Sequence, residues 1–282
     1  ASSIDEADFI EAVRRAKRHI TEGDVFQLVL AIRYAGKTRS DPFQVYRALR
    51  LLNPSSYMYF LDIAGHRVVG SSPEALFRFT ADGRASLRPI AGTRPRGATD
   101  AEDRAHAQSL LSDPKEIAEH VMLVDLARND LGRLAVPGET SVEPYRVIER
   151  YSHVMHLVSG VTAAMREGVD AFDVLAASFP AGTRVGTPKV LAMQLIDEIE
   201  PAGRGFYAGA VGYFGKPAPY GSGRAPADKA ICIRTLTFEE DTYAYQAGAG
   251  IVADSSPESE YQEVRNKVAA LEAALRLVDE GL

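Results

Sequence analysis

The stretch Val25-Phe-Gln-Leu-Val-Leu-Ala-Ile-Arg-Tyr34 indicates the fold class of this chain. Its β-branched, aromatic and long apolar side chains predict a strand. Side chains alternate between the two faces of a strand, and both faces here are mainly apolar, so we expect both to be buried. One face carries Phe26, Leu28, Leu30, Ile32 and Tyr34, and the other carries Val25, Gln27, Val29 and Ala31.

Helical patterns occur on both sides of this strand. Ser3 and Glu6 have the spacing of a capping box for a first helix, and Gly23 predicts its end. Asp113-Pro114 predicts a break between two helices, because aspartate favours the N-cap and proline the first helical position. The predicted helices are Ser3–Gly23, Pro42–Leu52, Ala101–Ala127 with this break, Ala171–Ser178, Pro188–Glu198 and Pro257–Asp279.

Further strands are predicted between these helices, and they do not alternate strictly with them. That order is typical of a strand-rich α+β fold. Loops are predicted at Ala91–Gly97 and, as a long mobile connection, at Gly215–Asp228. The predicted strands are Tyr57–Asp62, Val68–Ser71, Ser141–Val147, His153–Val161, Gly205–Phe214, Lys229–Phe238 and Thr242–Gln246.

Composition excludes several classes of protein. The chain has 282 residues, a formal net charge of −6 and one cysteine, Cys232, so an internal disulfide or a cysteine-based zinc site is excluded. Apolar runs are shorter than the ~20 residues of a membrane helix, and no secretory leader opens the chain. We therefore expect a cytoplasmic small-molecule enzyme that binds neither membrane nor nucleic acid.

Two E-x-x-E elements carry the most informative chemistry. They are Glu116-Ile-Ala-Glu119 and Glu260-Tyr-Gln-Glu263, and Lys267 follows the second by four residues. Residues three or four apart share a helix face, so each helix presents two adjacent carboxylates. The second pair borders an apolar stripe, which places it beside the core. That stripe comprises Tyr261, Val264, Val268, Leu271, Leu275 and Val278.

Two interpretations of these carboxylates stay open on spacing alone. The first is a pair of solvated helix faces, with Glu263 and Lys267 as a weak surface ion pair. The second is a hard-cation site, for which carboxylates without cysteine favour Mg²⁺. A di-iron site is disfavoured, since no E-x-x-H occurs on these helices.

An ordered set of motifs between about Ile10 and Leu275 resembles the chorismate-utilising enzymes, and best the large subunits of anthranilate synthase. The motifs are Gly23–Gln27, Gly70–Glu74, Arg88–Arg96, Asp113–His120 with Asp125–Leu131, Val154–His156, Phe179–Thr183 and Gln246–Ser255. The resemblance implies an α+β chorismate-binding domain over residues 1–282, with two packed antiparallel β-sheets and outer helices.

The resemblance also implies a Mg²⁺ site and a set of catalytic residues. By position, Glu119 and Glu263 are expected to ligate the metal directly, and Glu116 and Glu260 through water. Glu74 occupies the general-acid position, where burial would raise the pKa of a carboxyl that protonates a leaving hydroxyl. His156 and Lys267 are the further catalytic residues; without the resemblance, His156 reads as an ordinary core histidine.

Gln27 and Ala91 distinguish between branches of the family. In water-using relatives, which make isochorismate or salicylate, a lysine stands at the position of Gln27. In relatives that make aminodeoxychorismate, a lysine stands at the position of Ala91. The resemblance therefore implies that ammonia attacks chorismate at C2 and that pyruvate elimination gives anthranilate. A Gln27 that merely hydrogen-bonds in a sheet is the structural alternative.

The remaining site residues are expected to hold the substrate. Arg234 with Tyr213 resembles the pair that binds the enolpyruvyl carboxylate, for which a planar guanidinium is well suited. The others are expected to contribute backbone or hydroxyl contacts: Gly92, Thr93, Thr183, Gly248 and Gly250. Arg184 departs from the small, uncharged residues usual at its position.

The source of ammonia and the length of the chain limit the expected activity. Cys232 lies in an apolar strand, so we expect a structural thiol and no glutamine hydrolysis by this chain. Glutamine-dependent activity would need a separate amidotransferase subunit. The usual N-terminal region of the family, which completes a sheet and holds the feedback site, is not in this sequence, so insensitivity to tryptophan is expected.

Three alternatives to this function remain. One is an aminodeoxychorismate or aminodeoxyisochorismate synthase, and a second is an isochorismate or salicylate synthase. The third belongs to a different class: a chorismate-binding module with little turnover.

Overall fold

The computed structural model describes residues 1–151, 154–217 and 223–281. Its helices are α1 (Glu6–Glu22), α2 (Pro42–Leu52), α3 (Asp100–Ser112), α4 (Pro114–Gly132), α5 (Ala171–Ser178), α6 (Gly182–Val185), α7 (Lys189–Ile199) and α8 (Pro257–Asp279). Its strands are β1 (Gln27–Lys37), β2 (Tyr57–Ile63), β3 (His66–Ser72), β4 (Ala75–Phe79), β5 (Arg84–Leu87), β6 (Ile90–Pro95), β7 (Ala135–Val142), β8 (Val147–Arg150), β9 (Val154–Val158), β10 (Val161–Met165), β11 (Gly186–Thr187), β12 (Ala210–Phe214), β13 (Ala227–Ile231), β14 (Thr235–Glu239) and β15 (Thr242–Ile251).

The first of two compact units comprises Ala1–Pro73, Pro180–Val211 and Ala230–Leu282. Its six-stranded antiparallel sheet has the order β11-β1-β15-β14-β3-β2. The long β1–β15 ladder runs from Leu28 opposite Ile251 to Lys37 opposite Thr242. Helices α1, α2, α7 and α8 contact this sheet, and their apolar side chains close the main core with it.

The second unit comprises Glu74–Phe179 and Gly212–Lys229. Here the second six-stranded sheet has the order β12-β13-β4-β5-β10-β7, and a three-stranded antiparallel sheet has the order β6-β9-β8. Helices α3 and α4 both contact β6, and a small core of Ala107, Leu110, Met155 and Leu157 lies under the three-stranded sheet. The three-stranded sheet therefore lies directly against the helix that carries the first E-x-x-E element.

This architecture confirms the α+β class with antiparallel sheets. Three predicted helices have the observed bounds: Pro42–Leu52, Ala171–Ser178 and Pro257–Asp279. The predicted break at Asp113-Pro114 is also observed, because the Asp113 side chain caps α4. Within the described ranges, none of the helices is both long enough and apolar enough to cross a membrane.

Two local predictions at the start of the chain were wrong. The N-cap of α1 is Asp5, whose carboxylate accepts from the Asp8 N–H, so Ser3 and Glu6 form no capping box. Phe26 is 71% exposed, although we expected it in the buried face of the strand. The reason is that β1 begins one residue later, at Gln27, and Phe26 belongs to the preceding turn.

Other corrections concern strand boundaries. Ala91–Gly97, predicted as a loop, mostly forms β6. Lys229–Phe238, predicted as one strand, is divided into β13 and β14 because Arg234 adopts a left-handed φ of +47°. Strands β4 and β5 were not predicted at all. His153 of the predicted strand His153–Val161 lies outside the described residues, as does part of the predicted Gly215–Asp228 connection.

Candidate active site

Helix α4 presents the first carboxylate pair next to an arginine from β6. The Asp113 carboxylate accepts from the N–H groups of Lys115 and Glu116 at 3.0 and 3.3 Å, which fixes the start of the helix. Arg94 donates to Glu116 at 2.9 Å and to Asp113 at 2.8 Å. Glu119 follows one turn later. Arg94 was not among the predicted site residues, because its partner depends on how β6 packs against α4.

Gly92 permits a close approach between β6 and this carboxylate. It has a φ of +66°, and a Cβ there would lie 2.8 Å from Glu116 Oε2 and 2.7 Å from Leu110 Cδ1. A side chain would therefore both strain the backbone and displace the glutamate. Gly92 is therefore required by its contact with Glu116, and its predicted contact with the substrate stays a prediction.

His156 and Thr93 are brought together by the three-stranded sheet. They are direct neighbours across β9 and β6, and His156 Nδ1 lies 3.0 Å from Thr93 Oγ1 and 3.2 Å from the Gly92 carbonyl oxygen. A carbonyl oxygen only accepts, so the contact with Gly92 is a hydrogen bond when Nδ1 carries the ring hydrogen. Tyr151 packs beside the imidazole, with ring centroids 5.6 Å apart.

Asp103 on α3 holds the same sheet from its other side. Its carboxylate accepts from Arg96 at 2.6 Å and from Arg150 at 2.7 Å. These two guanidinium hydrogen bonds lower the pKa of Asp103 far below its ordinary value. Because Arg96 follows β6 and Arg150 ends β8, this carboxylate ties together the ends of two strands that flank His156. Sequence reasoning missed Asp103, because its contacts with Arg96 and Arg150 depend on how α3 packs against the three-stranded sheet.

His120, next to Glu119, fastens α4 from within. It is fully buried, and its Nε2 lies 2.7 Å from Ser159 Oγ, which also accepts from the Arg146 N–H at 2.9 Å. Burial, followed by the nearby Arg146 charge, lowers the pKa of His120 to about 4. This imidazole is therefore neutral at pH 7 and serves as an internal tether for the helix.

Glu74 and Tyr213 both belong to the second unit, but they differ in solvent exposure. Glu74 directly precedes β4 and is 7% exposed, so the burial expected for a general acid is confirmed. Tyr213 lies on β12 and is 60% exposed. Its predicted partner, Arg234, belongs to the other unit, between β13 and β14, where the guanidinium lies 3.5 Å from Asn53 Oδ1. Their joint role stays a prediction.

Helix α8 presents the second carboxylate pair beside the core, as predicted. Val264, Val268, Leu271 and Leu275 are buried, with Tyr261 and Val278 packed at the margin. Glu260 is buried, whereas the Glu263 side chain is 49% exposed and pairs with Lys267 at 2.6 Å. Lys267 also donates to the Gly248 carbonyl at 2.8 Å. Lys267 therefore makes two contacts: it pairs with Glu263 on its own helix, and it joins that helix to β15.

Gln27 begins β1 with its side chain buried. It lies next to Gly250 of β15, where a Cβ would be 2.8 Å from Gln27 Nε2. At Gly248 a Cβ would be 2.7 Å from the Leu30 carbonyl oxygen. A side chain at either glycine would collide with a neighbouring group, and their predicted contacts with the substrate stay predictions. Thr183 lies on the short helix α6, in the same unit.

Ala91 and Cys232 were both predicted not to act as nucleophiles. Ala91, where some relatives carry a lysine, is buried on β6. Cys232 is buried, its sulfur lies 3.6 Å from the Tyr59 hydroxyl oxygen, and burial raises the pKa of its thiol. A buried thiol of raised pKa is a poor nucleophile, in agreement with a structural role.

The donor set of the four glutamates fits Mg²⁺. Each helix presents two carboxylates on adjacent turns, and oxygen donors suit this cation. Glu116 and Glu119 belong to one unit, and Glu260 and Glu263 to the other. Among the described residues, three potential ligand groups come within 4.8 Å of one another at His19, Glu22 and Asp24 near the end of α1, and none of these belongs to the predicted set.

Comparisons with known proteins agree with the motif resemblance. A sequence profile described as chorismate binding enzyme matches residues 1–273. Anthranilate synthase component 1 of Aquifex aeolicus is 52% identical over 280 residues, which are 99% of this chain and 55% of that protein. The chain spans about half the length of the curated relatives it matches.

Two solved structures show the same fold. Anthranilate synthase component I from Streptococcus pneumoniae has a TM-score of 0.87 at 41% identity, covering 96% of this chain and 59% of its own. The menaquinone-specific isochorismate synthase from Escherichia coli has a TM-score of 0.86 at 26% identity, covering 98% of this chain and 62% of its own. The chain therefore belongs to the family of chorismate-binding enzymes.

Proposed function

We propose that this chain catalyses the anthranilate synthase reaction, in which chorismate and ammonia give anthranilate, pyruvate and water. The carrying observation is the buried amide of Gln27 at the position where water-using relatives place a lysine. A neutral amide does not deprotonate water, so it suits a nucleophile that arrives competent, as ammonia does. The identity to proteins named anthranilate synthase component 1 supports this choice within the family.

Glu74 is the proposed general acid. The C4 hydroxyl of chorismate is a poor leaving group unless it is protonated as it departs, and the buried Glu74 carboxyl would donate that proton. His156 is proposed to assist the later elimination of pyruvate or to orient the departing hydroxyl. Its Nδ1 lies within hydrogen-bond distance of Thr93 Oγ1 and of the Gly92 carbonyl oxygen, and these contacts fix the ring in place.

Mg²⁺ is the proposed cofactor. When bound, it would hold the ring carboxylate of chorismate and act as a Lewis acid. Glu119 and Glu263 are the proposed direct ligands, with Glu116 and Glu260 contributing through water. In this chain, Arg94 fixes the Glu116 carboxylate and Lys267 fixes the Glu263 carboxylate. Both cations therefore orient the acidic groups before the metal and the dianionic substrate arrive.

Several further residues are proposed to hold the substrate. Arg234 and Tyr213 are the proposed contacts for the enolpyruvyl carboxylate. The remaining contacts are proposed for Gly92, Thr93, Thr183, Gly248 and Gly250. On this proposal, residues 1–282 serve as one catalytic region.

The ammonia is proposed to come from a second protein. The relatives carry the name component 1, which implies a further component for those enzymes. Since Cys232 is buried and structural, glutamine hydrolysis by this chain is not expected, and a glutamine amidotransferase subunit would supply ammonia. A biosynthetic enzyme of this kind would work in the cytoplasm.

The direct test is product analysis. Purified protein is incubated with chorismate, Mg²⁺ and ammonium at alkaline pH, and in parallel with glutamine instead of ammonium. We expect anthranilate fluorescence with ammonium and none with glutamine. Isochorismate, salicylate or aminodeoxychorismate as the main product by mass spectrometry would overturn the proposal, and so would chorismate binding by calorimetry with no product.

A variant pair tests the role of Gln27 in this choice. Gln27→Lys places a base where the amide lies, so we expect lower anthranilate formation and the appearance of water-derived product. Gln194→Lys on α7 is the matched control, because it adds the same charge at an exposed position. If Gln27→Lys formed anthranilate at the rate of the parent protein, Gln27 would have no part in selecting the nucleophile.

A further inference from the structure

We propose that Thr187, together with Gln27, forms the binding site for ammonia in this chain. The inference rests on the proposed ammonia-dependent reaction. It names the residues that would bind ammonia before it attacks chorismate. Neither sequence motifs nor the expected substrate contacts single out Thr187. It is identified by its pairing with Gln27 across two strands, and by a buried oxygen atom on each side chain that has no hydrogen-bond partner among the described residues.

The two side chains are direct neighbours across a pair of strands. Gln27 of β1 is opposite Thr187 of β11 in an antiparallel register. Directly opposed residues project to the same face of a sheet, with Cβ atoms about 5 Å apart. Their polar ends can therefore reach one small group together. Both residues lie in the first unit, so the pair is complete within it.

Both side chains carry a buried oxygen atom that has no hydrogen-bond partner among the described residues. These atoms are Gln27 Oε1 and Thr187 Oγ1. Gln27 as a whole is 4% exposed. Leaving a buried polar atom unsatisfied costs about 1–3 kcal/mol, so two such atoms on directly opposed residues favour a bound polar molecule.

The packing around the pair holds the amide in place. At Gly250 a Cβ would lie 2.8 Å from Gln27 Nε2, so the amide nitrogen packs directly against the β15 backbone. On the other side, Gly186 precedes Thr187 with a φ of +125°, a conformation that favours glycine. The strand backbones thus confine the amide, and the two oxygen atoms belong to a preformed site.

The chemistry of the pair matches ammonia. Neutral ammonia has three N–H groups and one lone pair. Two neutral oxygen acceptors can hold two of the N–H groups and leave the lone pair available for attack on carbon. Neither acceptor is charged, so the pair does not favour the non-nucleophilic ammonium cation as a carboxylate would. Thr187 is therefore a positioning residue for the nucleophile, with Gln27.

The test is the Michaelis constant for ammonia in Thr187→Val, which removes the hydroxyl and keeps the shape. Ammonium is varied at fixed alkaline pH with saturating chorismate and Mg²⁺. The loss of one hydrogen bond is expected to raise KM for ammonia about 3- to 10-fold, with KM for chorismate within about 2-fold of the parent. Thr187→Ser, which restores a hydroxyl, is expected to recover most of the ammonia affinity.

The outcomes separate this inference from the proposed function. If the parent protein forms no anthranilate from ammonium, the proposed function itself fails. If the parent is active but KM for ammonia in Thr187→Val is unchanged, the pair binds only water and the inference is overturned. An equal rise in both KM values, or a lowered melting temperature in both variants without recovery in Thr187→Ser, shows a structural role and also overturns it.

Discussion

Helices α4 and α8 carry the same E-x-x-E element in different surroundings. On α4, the cation that holds Glu116 comes from a strand, as Arg94 of β6, and it also holds Asp113 at the helix start. On α8, the cation comes from the next turn of the helix, as Lys267, and it reaches the Gly248 carbonyl of β15.

The difference shows how one motif is oriented in two ways. On α4, tertiary packing sets the carboxylate, so its position depends on the three-stranded sheet. On α8, the helix sets its own carboxylate, and the lysine then ties the helix to the first sheet. Variants that remove the acid, the cation or the supporting backbone should therefore affect the two helices unequally.

The largest expected effect is that of removing a proposed metal ligand. Glu263→Gln keeps the shape and removes the charge, and the loss of Lewis-acid stabilisation worth several kcal/mol corresponds to a fall of about 1,000-fold in kcat. Glu119→Gln should act equally. The measurement is initial rate against Mg²⁺ concentration, with Glu280→Gln after α8 as the control. Unchanged turnover in Glu263→Gln would remove this residue from the metal site.

Removing the cations should distinguish the two helices. Lys267→Met is expected to lower kcat/KM about 10- to 100-fold, since Glu263 loses the group that orients it. Arg94→Met should lower kcat/KM and should lower the melting temperature more than Lys267→Met does, because Arg94 holds two carboxylates, one of them at the start of α4, whereas Lys267 holds one carboxylate and one carbonyl. Lys37→Met, which removes only an exposed pair with Asp241, is the control. Equal melting temperatures for Lys267→Met and Arg94→Met would contradict the comparison.

Backbone crowding at the α4 site can be tested by comparing Gly92 with Gly168. Gly92→Ala and Gly168→Ala both place alanine at a positive φ, at a cost of about 1–2 kcal/mol. At Gly92 the added Cβ also meets Leu110 and Glu116, whereas nothing lies within 4 Å at Gly168. We therefore expect a loss of about 2–3 kcal/mol and reduced activity for Gly92→Ala, measured by urea unfolding and initial rate. Equal effects of the two variants would show that the contact with Glu116 is unimportant.

The smallest expected effect is a pH-dependent loss of stability around Asp103. The pKa of Asp103 is lowered in the folded state by Arg96 and Arg150, so its contribution is present above about pH 4, the unfolded value, and is lost as the pH falls through the folded pKa. The melting temperature of Asp103→Asn should lie below that of the parent at pH 7 and pH 5, with a smaller gap at pH 3. A gap independent of pH would mean that charge is not what stabilises this contact.

Helix positions in this chain were predictable from local signals, whereas the surroundings of the carboxylates were not. Pro42–Leu52 and Pro257–Asp279 each begin at a proline that follows a capping residue, which is information within a few residues. The contact between Arg94 and Glu116 depends on β6, which was predicted as a loop. Its strand state comes from pairing with β9, and sequence patterns do not contain that register.

The division of Lys229–Phe238 into two strands illustrates the same limit. Most of its residues are apolar or β-branched, so a single strand was the natural prediction. The left-handed φ of Arg234 is imposed by tertiary structure, in which the Arg234 carbonyl accepts from the Ser71 N–H at 3.1 Å. The glutamates themselves were identifiable because helical spacing places them together, whatever the tertiary contacts.

The burial of Cys232 has a practical consequence for spectroscopy. Its thiol is shielded and its pKa is raised, so maleimide reagents should react with it slowly in the native state. A cysteine introduced at an exposed position such as Val190, which is 68% exposed, would then be labelled selectively. The natural protein thus offers a nearly silent background for attaching one fluorophore per chain.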